Sequence, residues 1–222
     1  MKSSRSLNVH IFQDDLDPVE KGGLTMMTQR VMWRALVGVL AICVIGSSVW
    51  GTEPSSKPKG ISPSTVADFI HAVIEADRTL YTTHVVERMV EHKIVIAAET
   101  WKHRKALPLP AQMLLLSGLK VKEMGLGLQY RLASLRPIYE KNGPTTDFER
   151  TGLTAVAEDP SQPYTGIIER GDRKFFKAIY ADKAVSIACI NCHNGHILSF
   201  KRDYKLGDVM GAIIISFPLP AD

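Results

Sequence analysis

The stretch TGIIERGDRKFFKAIYADKAV, residues 165–185, decides the fold. Gly171-Asp172 is a turn dipeptide set between two runs rich in Ile, Phe, Tyr and Val, so the stretch predicts an antiparallel hairpin. Downstream, VMGAIIISFPL (209–219) is an apolar run of strand length. Upstream, LQYRLASLRPI (128–138) alternates well enough to be a further strand, and EKNGPTTDF (140–148) reads as a loop before a short helix over 151–158.

The earlier part of the chain reads as helix. Ser62-Pro63 offers an N-cap followed by proline at the first helical position. Beyond it Val66, Phe69, Ile70, Val73, Leu80, Tyr81 and Val85 recur at helical spacing and predict one apolar face, in a helix running to about Glu91. KIVIAAETWKHR (93–104) predicts a second helical stretch before the breaker LPLP (107–110). AQMLLLSGLKVKEMG (111–125) predicts a third, stopped by Gly125. Helices first and antiparallel strands afterwards mean α+β, with no repeat and no second domain.

The 222 residues are 45% hydrophobic and carry a formal charge of +4, enough for one domain with a real core. So small a charge, with no basic run, points away from nucleic acid and from an anionic membrane surface. Residues 26–51 carry Arg30 and Arg34 ahead of the apolar run ALVGVLAICVIG and end in small residues, the layout of a secretory signal. The run is short for a free-standing span, which favours a cleaved signal over an uncleaved anchor through residues 31–50. Residues 1–25 are polar and precede a complete signal, so the start is read at Met26 or Met27, or the lead as disordered. Residues 52–62, rich in Pro, Ser and Lys, form a linker into a domain over 63–222. The bulk of the chain is expected to be extracytoplasmic, in the periplasm of a bacterium, with membrane association only through residues 31–50.

Signal removal would take Cys43 with it and leave Cys189 and Cys192 as the only thiols. They stand in ACINCHNGH (188–196), and Cys189-Ile190-Asn191-Cys192-His193 matches the C-x-x-C-H signature of covalent haem attachment. The spacing has a chemical reason: two intervening residues let both thiols reach vinyl groups on one porphyrin edge, and the next histidine falls under the iron as its proximal ligand. One covalent haem c is the expected cofactor. A redox thiol pair would need a βαβ context not found here. A zinc site from Cys189, Cys192, His193 and His196 would crowd four ligands into eight residues, and a disulfide over so short a loop would constrain little.

ADRTLYTTHVVERM (76–89), AAETWKHRKALPLPAQM (97–113), YRLASLRPI (130–138), NGPTTDFE (142–149) and ACINCHNGHILSFKRDYKLGDVMGAIIISFPL (188–219) together resemble the PAS-like c-type haem domains of the Tll-like group. These occur as small exported cytochromes and as extracytoplasmic input domains of sensor kinases. The resemblance implies a PAS-like antiparallel sheet with N-terminal helices enclosing one covalently bound haem. It also implies a distal ligand from the N-terminal helix, at a position near His84 here, where no cysteine is available.

Met ligation raises the reduction potential, bis-His lowers it, and an open position admits gases. At about 100° per residue His84 points with Val66, Val73 and Tyr81, whereas His71 points to the polar side. His84 is therefore the first candidate for the distal iron ligand, Met113 after LPLPAQ the second, and an open site the third. Among the remaining candidates, Met89, Met124 and Met210 carry no particular signal. His196 reads as a surface or propionate-side residue, His92 and His103 as solvated, Trp101 and Tyr81 as packing near the haem. Arg131 and Arg136 read as exposed strand residues that could otherwise pair with haem propionates.

The chemistry expected is electron transfer or redox or gas sensing, in company with a redox partner or a separate signalling protein. A haem enzyme of peroxidase or nitrogen-oxide type would need a distal acid/base group that the sequence does not supply, so no catalytic residue is assigned. A haem-free zinc or thiol module is the remaining alternative.

Overall fold

Ser62 starts the first element: its hydroxyl accepts the Thr65 N–H at 3.1 Å, and Pro63 takes the first helical position. In the computed structural model, which describes residues 60–220, helix α1 (Pro63–Leu80) continues through a π-helical segment (Tyr81–Glu87) into α2 (Arg88–Glu91). The expected length to Glu91 is therefore met. The readings of residues 1–25, of the signal over 26–51 and of most of the linker lie outside the described residues. Among those described, no helix is long and apolar enough to cross a membrane.

The helix predicted over 93–104 does not form. Lys93 adopts φ 55°, and the β-branched Ile94-Val95-Ile96 then extends. Strand β1 (Ile96–Ala97) pairs in parallel with β2 (Ala106–Leu107), with a 3-10 turn (Trp101–His103) between them. Pro108 keeps the end of β2 extended. Helix α3 (Pro110–Glu123) ends as predicted, with Gly125 at φ 73°. Gln112 joins its start to the preceding loop: Oε1 accepts the Leu109 N–H at 3.0 Å and Nε2 donates to the Glu99 carbonyl at 2.9 Å.

Strand β3 (Gln129–Ala133) is shorter than predicted. Helix α4 (Asp147–Glu158) is longer, because Thr146 caps it by accepting the Glu149 N–H at 3.2 Å. Strands β4 (Tyr164–Arg170) and β5 (Arg173–Lys183) make the expected hairpin, with Gly171 at φ 57° in the turn. Helix α5 (Ile187–Gly195) follows, and β6 (Val209–Pro218) completes a four-stranded antiparallel sheet in the order β3-β6-β5-β4.

Both sheet faces are covered, which explains why β6 is an unbroken apolar run and not an alternating one. Ala178, Tyr180, Ile213 and Ile215 face Ala67, Ile74 and Leu114 of α1 and α3. The intervening Ile179, Ala212 and Ile214 face Leu153 and Val156 of α4. The mixed helix and antiparallel sheet architecture expected from the sequence is present.

The predicted apolar face of α1 is split: Ile70 packs against the core and Val66, Tyr81 and Val85 are half-buried, but the rest of it points outward. Ala67, Ile74 and Arg78 are buried, whereas Phe69, Val73 and Leu80 are 61%, 62% and 52% exposed. The polar residues of the helix are engaged on the inner side. Asp68 accepts from the Tyr180 hydroxyl at 2.8 Å, and His71 stacks on Tyr180 with centroids 4.0 Å apart and rings 9° from parallel. His71, expected on the polar side, is half-buried for this reason, and burial lowers its pKa despite Glu75 and Asp68.

Candidate functional site

Ser186 caps α5 by accepting the Ala188 N–H at 2.9 Å, so the cysteine motif is helical from its first residue. Positions i, i+3 and i+4 share one helix face, and Cys189, Cys192 and His193 therefore project together. Both thiols are free and half-buried. Cys189 and Ile190 pack on a small core of Ala184, Tyr204 and Met210. The loop that returns to β6 is pinned to the helix at both ends of one amide: Asn194 Nδ2 donates to the Tyr204 carbonyl and Asn194 Oδ1 accepts the Tyr204 N–H, each at 3.0 Å. The Tyr204 ring meets His193 edge-on, 5.8 Å between centroids at 86°.

Burial depresses the pKa of His193, and the nearby His196 and Arg78 add to the effect. A neutral imidazole with a free lone pair is the form that binds a metal. Cys192 is pushed the other way: burial, then Glu99 and Cys189, raise its thiol. A reactive redox thiol needs a lowered pKa, so this environment does not suit a thioredoxin-type pair. Among the described residues no group of three or more His, Cys, Asp or Glu could hold a metal ion, so Cys189, Cys192, His193 and His196 do not assemble the zinc site considered above.

His196 is half-buried rather than on open surface. Its Nδ1 accepts the Leu198 N–H at 3.1 Å, its Nε2 lies 3.3 Å from Glu99 Oε1, and Tyr139 donates to the other oxygen of Glu99 at 2.7 Å. The Tyr139 ring also stands edge-on to His196 at 6.0 Å. Glu99 thus joins the β1–β2 loop to the C-terminal end of α5.

The π-helical segment packs against both α5 and α3. Its buried residues are Thr82 and Val86, while His84 is exposed. The 100° per residue used for His84 does not carry through the π-helical segment, and the histidine expected on the haem side is exposed. Met113, in the first turn of α3, is half-buried. No hydrogen bond or ring contact among the described residues joins His84 to His193. Tyr81 is half-buried and donates to the Pro108 carbonyl at 2.8 Å, and Trp101 lies half-buried under Lys102. His92 and His103 are exposed as expected.

Sequence reasoning missed Arg78. It is 5% exposed, and its Nη2 stands 2.8 Å from Asp182 Oδ1 on β5. The pair is not aligned as a hydrogen bond, and Nε and Nη1 have no partner among the described residues. An arginine buried with unused N–H groups, close enough to depress His193, is a ready partner for an anion. Arg131, by contrast, is not free for propionates: Nη2 donates to Glu149 Oε2 at 2.6 Å and to the Gly143 carbonyl at 3.2 Å. Arg136 lines a cavity of ≈ 600 Å³ with Leu135, Pro137, Phe200 and Lys201–Asp203; neither cysteine nor His193 lines it.

A haem fits these residues. Two free thiols and a neutral imidazole share a face, orphaned guanidinium nitrogens suit a propionate, and Ile187, Ile197, Leu198 and Phe200 around the motif are large, apolar and exposed. Such a cluster is what an apolar group of that size would cover.

Residues 61–218 match the model of the Tll0287-like family (Tll0287). The crystal structure of the cyanobacterial heme-protein Tll0287 is similar over 73% of this chain and 99% of that one, at 13% identity and a TM-score of 0.40. No curated protein matches the chain. Because the family model covers most of its length, the chain belongs to the Tll0287-like family, the PAS-like c-type haem domains that its sequence resembles.

Proposed function

We propose that this member of the Tll0287-like family is an exported single-haem c-type protein that transfers electrons or senses redox state or gases. The observation that supports it most is the common helical face of Cys189, Cys192 and His193 on α5. The two thiols would carry the haem as thioethers, and His193 would hold the iron on the proximal side. A bound haem supplies one reversible electron at its iron and, where a coordination position is open, a place for a small diatomic ligand.

The chain's own residues set the conditions. Tyr204 holds the His193 ring edge-on, and Asn194 holds Tyr204. Arg78 places a buried positive charge near His193 that would meet a propionate and favour the more negatively charged, reduced state. Compartment, haem stoichiometry and covalent linkage belong to the same proposal, as do a separate redox or signalling partner and attachment to the membrane through residues 31–50. So do the distal candidates His84 and Met113. Their exposures differ, and each substitution to Ala has its own spectral consequence.

The deciding experiment is expression in a bacterium with a c-type haem maturation system, followed by absorption spectra of the oxidised, reduced and carbon monoxide-treated protein. A haem mass that survives denaturation, with the reduced spectrum of a thioether-linked haem, is expected. A colourless protein of polypeptide mass would overturn the reading. Loss of the haem in Cys189→Ser/Cys192→Ser, with the fold retained, assigns the attachment.

A further inference from the structure

A groove of ≈ 290 Å³ is lined by residues of α3, of the start of α4 and of all four strands of the sheet. Its floor lies on the α4 face, since Lys177 alternates with Ala178 and Tyr180, which face α1. Neither cysteine of the motif nor His193 lines it. The groove is therefore separate from the site described above, and what it binds does not depend on the haem. Its charge is one-sided: Lys122, Arg131, Arg170 and Lys177 stand against a single carboxylate, Glu149, an excess of three positive charges. Arg131 and Lys177 are the two that meet Glu149. Lys122 and Arg170 pair with no carboxylate among the described residues, and Arg170 lies 5.4 Å from the Phe175 ring centre instead.

The floor is also short of acceptors. Lys177 is 2% exposed, and an ammonium has three protons to donate. Among the described residues one goes to Glu149 Oε1 at 2.9 Å, and the nitrogen otherwise stands 5.9 Å from the Phe148 ring centre. Directly across the β5–β6 pairing is Ser216, 7% exposed, whose Oγ has no partner among the described residues. Buried polar groups are ordinarily satisfied, so two neighbours left short at the floor of a cationic groove point to a missing acceptor. Glu149 cannot serve both, because its other oxygen already takes Arg131 and Thr145. The opposite wall has a different character. Leu115, Leu119 and Lys122 follow one face of α3, and the two leucines are exposed.

We propose that this groove binds a small organic dianion of the short-chain dicarboxylate class. One carboxylate is taken by Lys177 and Ser216 at the floor, the other by Lys122 and Arg170, and the carbon chain lies along Leu115 and Leu119. A dianion matches the excess of positive charge, and charge-assisted bonds to a guanidinium and two ammonium groups supply the affinity. The apolar wall favours an organic ligand over an inorganic anion, which would leave it uncovered. The volume is at the lower end for ligand sites and selects a small molecule.

The test is isothermal titration calorimetry of the full-length haem-loaded chain at low ionic strength with sodium oxalate, succinate and adipate. Sodium sulfate and the neutral succinamide are run beside them. Saturable one-to-one binding of at least one dicarboxylate is expected, weakening as sodium chloride is added, with none for succinamide. Lys122→Gln/Arg170→Gln alters two exposed residues and should raise the dissociation constant by about tenfold or more. Ser216→Ala leaves no hydroxyl unpaired, so the fold should be kept, and binding should weaken by about threefold or more. The haem spectrum and thermal unfolding of both variants, expected to match the parent, check that the fold is intact. Absence of binding by all three dicarboxylates would overturn the proposal. So would sulfate bound as tightly as the best of them, which would give the groove to an inorganic anion, or affinity unchanged in both variants, which would place the ligand elsewhere.

Discussion

Two buried ionic clusters sit on strand β5, and they are built differently. On the α4 face, Glu149 is complete: Oε1 takes Lys177 Nζ at 2.9 Å, and Oε2 takes Arg131 Nη2 at 2.6 Å and the Thr145 N–H and hydroxyl at 2.8 Å each. Burial alone would raise the carboxyl pKa. The Thr145 N–H, the Lys177 ammonium, the Thr145 hydroxyl and the charge of Arg131 overcome it and hold the group at about 2. On the α1 face, Asp182 has one cation, Arg78, poorly aligned and with two unused nitrogens. Burial dominates there and pushes the carboxyl up to about 6, against Arg78 and with help from Glu75. A complete cluster holds a fold together, whereas an incomplete one next to a motif for cofactor attachment marks where a further group belongs.

The contrast can be broken most forcefully at Lys177, which is 2% exposed. Lys177→Met strands Glu149 among fewer partners and is expected to cost about 3–5 kcal/mol in urea unfolding at pH 7. The haem spectrum of whatever remains folded should be unchanged. A cost under about 1 kcal/mol would show that the network is idle.

The pH dependence of stability separates the clusters next. Glu149, with a lowered pKa, contributes stability above its unfolded value near 4.5 that is lost as pH falls towards 2. Asp182, with a raised pKa, binds a proton more tightly folded than unfolded, so its contribution is lost as pH rises from about 4 through 6. Each is worth about 3 kcal/mol at 1.36 kcal/mol per pH unit. From these two groups alone, stability should peak between pH 4 and 5, and Asp182→Asn should flatten only the upper limb. An upper limb that survives that substitution would locate the titration elsewhere.

Arg78→Gln is expected to be milder than Lys177→Met, about 1–2 kcal/mol at pH 5, because Asp182 can stay protonated when its cation is gone. In the haem-loaded protein the same substitution should lower the reduction potential, since a positive charge near the iron is lost. An unchanged potential would place Arg78 away from the haem. The smallest effect is expected at His84. As an exposed residue it should cost under about 0.5 kcal/mol on replacement by Ala. Ferric and ferrous spectra that shift to a high-spin form would make it the distal ligand, and unaltered ones would move the search to Met113.

Much of the sheet was legible because its signals are local. Gly171-Asp172 needs a turn in any context, and the run GAIIIS in β6 is strand-forming whichever faces are covered. The cysteine motif was legible for the same reason, since its chemistry depends on a spacing of five residues. The stretch 93–104 is not legible in the same way, because its pattern fits a helix until Lys93 takes a positive φ and Ile94–Ile96 extends. Helix α4 starts at Asp147, ahead of the 151 that the sequence suggests, because Glu149, inside its first turn, looks like a surface residue until Lys177 is brought over it from β5, twenty-eight positions along the chain.

The amino-acid sequence by itself determined the hairpin, the main helices of the N-terminal half and the grouping of Cys189, Cys192 and His193, because each rests on bonds or turns within a few residues. Only the tertiary structure decided which side of α1 is inner, that Arg78 and Asp182 meet in an unfinished pair, and that His84 looks outward. Periodicity reports that a helix has two faces, but the direction each one takes depends on what the rest of the chain sets against it. Here Tyr180 and Asp182 offer hydrogen bonds and charge where apolar contact was expected.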